Sequence, residues 1–323
     1  MKVSIVIPNF NGEELLKKNL PEVLGVIGDT ELIIVDDASE DKSVEYIKNQ
    51  TSKIKNIKLI KNAKNLGFSS TVNIGVQEAT GELVVLLNTD VIPEKDFLDS
   101  AIRHFEDQKV FAVGFLQKCS ENGKIILRGR GVGKFERGFL VHSRGNISDK
   151  DTSDGVDMHF SEVEDFRKTL WVSGGAGIFR KSIWSKLGGL NTLYNPFYWE
   201  DLDFSYRALK RGYKLIFEPK SIVHHLQKES VIKSSYTAKQ IKKMAYRNQL
   251  FFVWLNITDW VLILQHILYL PYYLLKSLLI FDWPFIEALF QAILIFPRIL
   301  ISRYQNSKSF TLTDGEVLEN LSI

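Results

Sequence analysis

Short apolar, β-branched runs that end on an amide or acid, each followed by a helical pattern, constrain this chain more than any other feature. Residues 3–7 form one such run, closed by Pro8 and the polar turn 9–12, and residues 13–26 then carry a helical period. Residues 31–35 repeat the pattern and end in Asp36-Asp37, residues 57–60 form another run, and residues 83–87 lead into Asn88-Thr89-Asp90. Helical patterns over 41–50 and 69–79 separate them. Strands alternating with helices at this spacing predict an α/β fold around a parallel sheet with both faces covered. Ligands of such sheets bind beyond the carboxyl ends of the strands. Asn9 and Asn11, Asp36 and Asp37, and Asn88 and Asp90 stand at those ends, so the pattern predicts a single polar cleft.

The 323 residues leave room for one large domain and an appendage, and 45% hydrophobic with 24% charged residues is an ordinary globular composition. A net charge of +3 is too small to argue for a nucleic-acid partner, and none is expected. One cysteine, Cys119, excludes an internal disulfide and a cysteine-rich zinc site. Met1-Lys2 runs straight into the first strand with no apolar leader, which predicts a cytoplasmic catalytic part. No G-x-G-x-x-G follows that strand, which argues against a nicotinamide enzyme.

Further on, residues 123–145 are rich in Gly, Arg and Lys and read as a hairpin or loop, and 148–165 as a polar, acidic loop. Structure resumes over 170–180, a helical pattern covers 199–211, and 217–225 reads as a last strand and its exit. The composition shifts after about residue 230, dividing the chain into an α/β domain over 1–230 and a helical region over 231–323. Lys239, Lys242, Lys243 and Arg247 share one helix face, and residues 251–301 are dominated by Leu, Ile, Phe, Tyr and Trp. The window 261–281 is long enough to span a bilayer, but Gln265, His266, Pro271 and Lys276 interrupt it. Amphipathic helices lying in the membrane interface fit better, giving peripheral membrane contact through 247–303.

Four clusters carry possible chemistry. Asp36-Asp37 ends a buried strand, where a carboxylate can take hydrogen bonds from a base or ribose or can cap the next helix. Asn88-Thr89-Asp90 ends another; Asp90 can hold a divalent cation that bridges phosphates, or serve a turn. Glu200, Asp201 and Asp203 begin a helix and diverge around it, so only one can act as a general base, and Asp203 is placed to pair with Arg207 at i+4. His224-His225 offers imidazole for a metal, or is structural.

Taken in order, VSIVIPNFNG, IIVDDAS, NLGFSSTVNIG, LLNTD, GGAGIFRKS, YWEDLDFSYRALKRGYK and IVHHLQKES resemble family-2 glycosyltransferases over about residues 3–230. The likeness is strongest to the branch of rhamnosyl- and galactofuranosyltransferases of surface polysaccharide synthesis. The resemblance implies a GT-A fold, its sheet mostly parallel and mixed on the acceptor side; the apolar tail, which lies outside the resemblance, would hold the enzyme on the inner face of the cell membrane. The resemblance also implies that Pro8, Asn9 and Asp37 line the nucleoside pocket and that Asn65 and Gly67 contact the donor. Asn88 and Asp90 match the D-x-D-like motif, with Asp90 as the metal-binding acid; 174–177, including Gly175, match the loop beside the donor sugar. Asp201 matches the catalytic base, and His225, or else His224, the metal-binding histidine. The implied cofactor is Mg²⁺ or Mn²⁺ and the implied donor a nucleotide-diphosphate sugar. The implied reaction is inverting transfer of a hexosyl or deoxyhexosyl group to a hydroxyl of a glycan or polyprenyl-linked acceptor. A catalytically inactive sugar- or lipid-binding module on the same fold is the rival from another class.

Overall fold

The computed structural model describes residues 1–52, 54–121, 124–145, 147, 167–226, 235–319 and 321. The loop expected at 148–165 and the boundary expected at 230 lie outside the described residues. The first half follows the predicted alternation: β1 (Val3–Asn9), α1 (Glu13–Ile27), β2 (Glu31–Asp36), α2 (Ser43–Thr51), β3 (Ile57–Lys61), α3 (Phe68–Glu78) and β4 (Leu83–Leu87). These strands lie in the order β3-β2-β1-β4, all parallel. Their continuous apolar runs arise because both faces are covered. Ile5 and Ile7 pack with Leu16, Leu20 and Ile47 on one face, while Val6 packs with Val72 and Val76 on the other.

The second half turns the sheet mixed. It comprises β5 (Val91–Pro93), α4 (Asp99–Arg103), β6 (Val110–Glu121), β7 (Lys124–Arg128), β8 (Gly131–Glu136), β9 (Phe139–Arg144), β10 (Ala176–Arg180), α5 (Lys181–Leu187), α6 (Glu200–Lys210) and β11 (Lys214–His225). β10 inserts antiparallel between β4 and β6, and β11 runs parallel to β6 and antiparallel to β5. β6 and β7, in a stretch with no predicted strand before residue 123, extend the sheet on this side. The hairpin expected over 123–145 is β8–β9, whose turn residues Arg137 and Gly138 both have positive φ, the geometry that matches strand twist. A side chain at position 138 would also meet the backbone of His266 at 2.9 Å, so glycine is required twice over.

The C-terminal region folds as α7 (Ala238–Asn256), α8 (Trp260–Leu279), α9 (Trp283–Leu294), α10 (Phe296–Ser307) and α11 (Asp314–Glu319). It shares a core with the sheet domain: Leu202 and Tyr206 of α6 and Leu140 of β9 pack with Leu250, Phe252, Phe285 and Val317. The lysines expected to form a free basic stripe on α7 are paired instead. Lys239 and Lys243 reach Glu287, Lys242 reaches Asp282, and Arg247 turns inward to the carbonyl of Asn195. The apolar face has no such cover. Of the large hydrophobic side chains that stand exposed among the described residues, all but Met1, Ile125, Val141 and Tyr198 lie between Trp260 and Tyr304.

Candidate active site

Of the strand-end residues predicted to converge, Asn9, Asp37, Asn88 and Asp90 do so, whereas Asp36 lies in the turn after β2 and Asn11 bonds the 39–40 segment. Pro8, Asn9, Asp37, Asn65, Gly67, Asn88 and Asp90 line one cleft with a volume near 170 Å³. Its apolar walls are Phe10, Leu15, Phe68, Pro196 and Phe197, with Tyr236 at the side, and none of these stands out in the sequence from the aromatic background.

Each acid at a strand end has a separate task. Asp36 is sealed in: its carboxylate accepts from Asn9 Nδ2 at 2.9 Å, Ser39 Oγ at 2.6 Å and the Ser39 amide at 3.0 Å, closing the turn after β2. Asn9 gives its amide nitrogen to the turn, while its Oδ1 is buried without a partner at the cleft lining. Asp37 faces the cleft and organises its far wall. It accepts from Asn62 Nδ2 and from the amides of Leu66 and Gly67, each at 2.8 Å. Gly67 has φ +84°, and a side chain there would strike Asn195 at 2.7 Å. That is a physical reason for glycine at this position. Helix α2 is started by neither Asp36 nor Ser39; Asp41 takes the Ser43 amide at 3.0 Å.

On the other side of the cleft Asp90 and His225 meet, with Nε2 3.3 Å from the carboxylate. The β5–β11 pairing places Val91 opposite His225 and so brings the two side chains together. His224 points elsewhere, to Glu94 at 2.9 Å, and is half exposed. Of the two histidines, His225 is the one that stands beside Asp90. Its Nδ1 bonds Gln117 Oε1 at 2.9 Å, which leaves Nε2 facing Asp90. Burial works against a charge on this ring. The bond to Asp90, helped by Cys119, outweighs burial and lifts its pKa to about 9. The imidazolium thus holds positive charge beside Asp90. A carboxylate and an imidazole this close fit a divalent ion such as Mn²⁺, whose other positions phosphates and water would fill. Among the described residues no group of three or more His, Cys, Asp or Glu is placed to hold a metal by itself.

Asp201 lies outside the cleft lining, next to the Gly174–Gly175 turn. Its carboxylate accepts the amide of Leu202 at 2.8 Å and is also held by the amide of Gly174. Asp201 keeps part of its surface open, yet desolvation still raises its pKa against those bonds. Glu200 is buried with Oε2 unpartnered; burial first, then the charge of Asp201, pushes its pKa well up. Asp203 is structural as expected, bonded to Arg207 at 2.7 Å, to Tyr194 and to Asn256. Gly175 supplies the link across the site: its carbonyl accepts the Asn88 amide at 3.1 Å, and a side chain on it would overlap the Asn88 carboxamide. The loop matched over 174–177 is in fact only this two-glycine turn, since β10 begins at Ala176.

Asn195 also belongs to the site. Its side chain holds Leu66 O at 2.7 Å, the Ser69 amide at 3.1 Å and Ser70 Oγ at 2.9 Å, fixing the 65–70 wall to the segment that precedes α6. A lone asparagine before a proline gives no periodic signal that would single it out.

Comparison with known proteins agrees with this fold. The chain is 34% identical over 126 residues to an uncharacterized glycosyltransferase of Haemophilus influenzae, covering 38% of this chain and 50% of that protein. It is 31% identical over 131 residues to a dolichol-phosphate mannosyltransferase of Pyrococcus furiosus, covering 39% and 35%. The matches thus span half or less of these relatives. Among solved structures, GalNAc-T7 with UDP, GalNAc and Mn²⁺ superposes with a TM-score of 0.63 at 17% identity, over 80% of this chain and 48% of that one, which shows a shared fold. The family model for glycosyl transferase family 2 matches residues 4–181, more than half of the chain. The chain belongs to glycosyl transferase family 2 and has its GT-A fold.

Proposed function

We propose that this protein transfers a sugar from a nucleotide-diphosphate donor to an acceptor hydroxyl with inversion, and that Mg²⁺ or Mn²⁺ assists. The observation that carries the reading is the Gly174–Gly175 turn, which touches Asp201 on one side and Asn88, two residues from Asp90, on the other. In this reading the general base and the cation position would stand on either side of that turn. Asp37 and the apolar walls would take the nucleoside, while Asn65, Gly67, Asn88 and Gly175 would line the path of the diphosphate and sugar. Asp90 and His225 would hold the ion, which supplies positive charge to the departing diphosphate. Asp201 takes the proton of the attacking hydroxyl, and its raised pKa makes it a better base than a solvated aspartate.

Thermal shift against UDP, dTDP, GDP and ADP, with and without Mn²⁺, tests the donor site, because a ligand specific to the folded state raises the melting temperature. One nucleotide should give a shift that grows with metal, and the growth should vanish in Asp90→Ala. No shift with any of the four would move weight to the inactive-module reading.

A metal on His225 must displace the Nε2 proton. With the ring's pKa at about 9, Mn²⁺ affinity should rise roughly tenfold per pH unit between pH 7 and 8.5 and level off above 9. Gln117→Leu removes the acceptor that orients the ring and should weaken Mn²⁺ binding about 10- to 100-fold. Titration calorimetry with Mn²⁺ and nucleotide at several pH values reads both; pH-independent affinity would exclude His225 as a ligand.

The acceptor we propose is a glycan or a polyprenyl-linked sugar met at the inner membrane surface in cell-surface polysaccharide synthesis, and the dolichol-phosphate relative supports this class. The C-terminal region, residues 231–323, would dock on the lipid. Helix α8 has the length and apolarity to cross a bilayer, and α9 and α10 meet at 66°. Yet His266, about a third of the way along α8, bonds Gly138 of the β8–β9 turn and Trp254 of α7, and Asp282 just past its end bonds Tyr246. A helix held along its length by the sheet domain and α7 favours lying in the interface. Replacing Leu268, Leu279 and Phe290 together by Glu should abolish co-sedimentation of the full chain with anionic vesicles; unchanged binding would refute docking through this face.

A further inference from the structure

We propose that Asn248, on α7 and far from the cleft in sequence, is a positioning residue that aims Asp201; this rests on the reading of Asp201 as the base. Residues 194–199 leave a short 3₁₀ turn, pass the cleft wall at Pro196 and Phe197, and enter α6 through Tyr198 and Trp199. Both aromatic residues are in the left-handed region, with φ of 72° and 74°. Bulky side chains rarely adopt it and persist there only when the surroundings impose it.

Two neighbouring polar side chains of α7, Asn248 first, supply the polar part of those surroundings. Asn248 is fully buried, and its Nδ2 lies 3.1 Å from the carbonyl of Tyr194, 2.9 Å from that of Phe197 and 2.8 Å from that of Tyr198. Its Oδ1 accepts from Arg247 Nε at 2.9 Å, and since a guanidinium can only donate, the amide cannot be flipped. The same guanidinium donates to the carbonyl of Asn195 at 2.7 Å. Four carbonyls of one turn are thus gathered by two neighbouring residues of α7. The turn they shape ends at Trp199, whose carbonyl accepts the Asp203 amide at 2.8 Å and sets where α6 starts. Asp201 sits in that first turn, so a rotation of the 198–199 backbone swings its carboxylate away from Gly174.

Asn248→Leu keeps the volume and donates nothing. Turnover, measured as nucleotide release from whichever of UDP-glucose, UDP-N-acetylglucosamine, dTDP-rhamnose and GDP-mannose the full chain hydrolyses with Mn²⁺, should fall roughly 10²-fold in kcat. Donor KM should rise far less than kcat falls: Pro196 and Phe197 of the same turn line the cleft, but Asp37 and the other walls that would take the nucleoside are untouched. In an Asp201→Asn background the same change should have no further effect on kcat, since the two act through one group. Hydrogen exchange should rise in peptides covering 194–203 and stay unchanged across 249–256. Leu255→Ala, also buried on α7, is the stability control and should leave kcat and exchange at 194–203 alone. Should Asn248→Leu fail to fold, Arg247→Met is the milder variant, with the same pattern at smaller size. Unchanged kcat and unchanged exchange at 194–203 in a folded variant would overturn the proposal. If Asp201→Asn itself retained turnover, the base reading would fail instead, and the exchange data alone would still decide whether Asn248 holds the turn.

Discussion

Asp201→Asn should lose about 10²- to 10⁴-fold in kcat, the usual range for removing a general base. Its affinity for nucleotide with Mn²⁺ should be unchanged. The two halves separate because Asp201 lies off the cleft lining while Asp37 and Asp90 lie on it. The carboxamide is the same size and keeps an oxygen for the amides of Leu202 and Gly174, so the fold is undisturbed and the loss reads the chemistry alone. One complication is Glu200, whose buried carboxyl is pushed up partly by the charge of Asp201. Neutralising Asp201 removes that contribution and lets Glu200 ionise more easily, but Glu200 is turned into the core and cannot substitute. Burial, the larger cause, remains. The activity of the parent enzyme should fall towards acid as Asp201 becomes protonated, at a pH above the ordinary aspartate range because burial raises its pKa. At saturating Mn²⁺, where loss of the ion from His225 adds no limb of its own, the acid limb should be missing from the residual activity of Asp201→Asn. A variant with near-normal turnover would sink the assignment.

Asp37, Asn88 and Asp90 were legible because a parallel sheet puts the residue after each buried run at the same edge, so their position follows from pattern alone. The Asp203–Arg207 pair was legible for the same kind of reason, a fixed helical offset. What could not be read were relations between distant segments. Asn195 and Asn248 are single amides whose meaning appears only when α7 packs on the 194–199 turn, 50 residues away. The basic face of α7 looked ready for lipid because Asp282 and Glu287, which neutralise it, come 40 or more residues later. β6 reads apolar as far as Leu116 and then polar as far as Glu121, and its register with β11, broken by a bulge, follows from the fold and not from any period. The cluster at Glu200-Asp201-Asp203 stayed ambiguous in sequence, since three acids in one turn differ only in what each face meets: the core, the glycine turn, or Arg207.

The largest loss of stability should come from a residue nowhere near the chemistry. Asp314, fully buried at the start of α11, accepts from Lys210 Nζ at 3.0 Å, Tyr206 Oη at 2.7 Å, and the amides of Thr258 at 2.6 Å and Asp259 at 2.7 Å. It ties α6, the turn between α7 and α8, and the C-terminal segment at one point. Asp314→Ala would leave the ammonium of Lys210, itself fully buried, with only Thr258 Oγ1 at 2.8 Å. Breaking a buried pair on one side typically costs about 3–5 kcal/mol, because the remaining charge is uncompensated. In a chain of this size, that corresponds to a melting temperature lower by roughly 10 °C. Lys210→Met should cost less, since Asp314 keeps Tyr206 Oη, Thr258 Oγ1 and the amides of Thr258 and Asp259, whereas Lys210 alone keeps one acceptor. This order of effects is what calorimetry should find if the anion is the hub. Equal losses, or a larger loss from Lys210→Met, would mean that the ion pair itself and not the gathering of backbone donors holds the helices to the sheet domain. Because Tyr206 and Lys210 lie on the helix that begins at Asp201, partial melting at this hub should also lower turnover before global unfolding is reached.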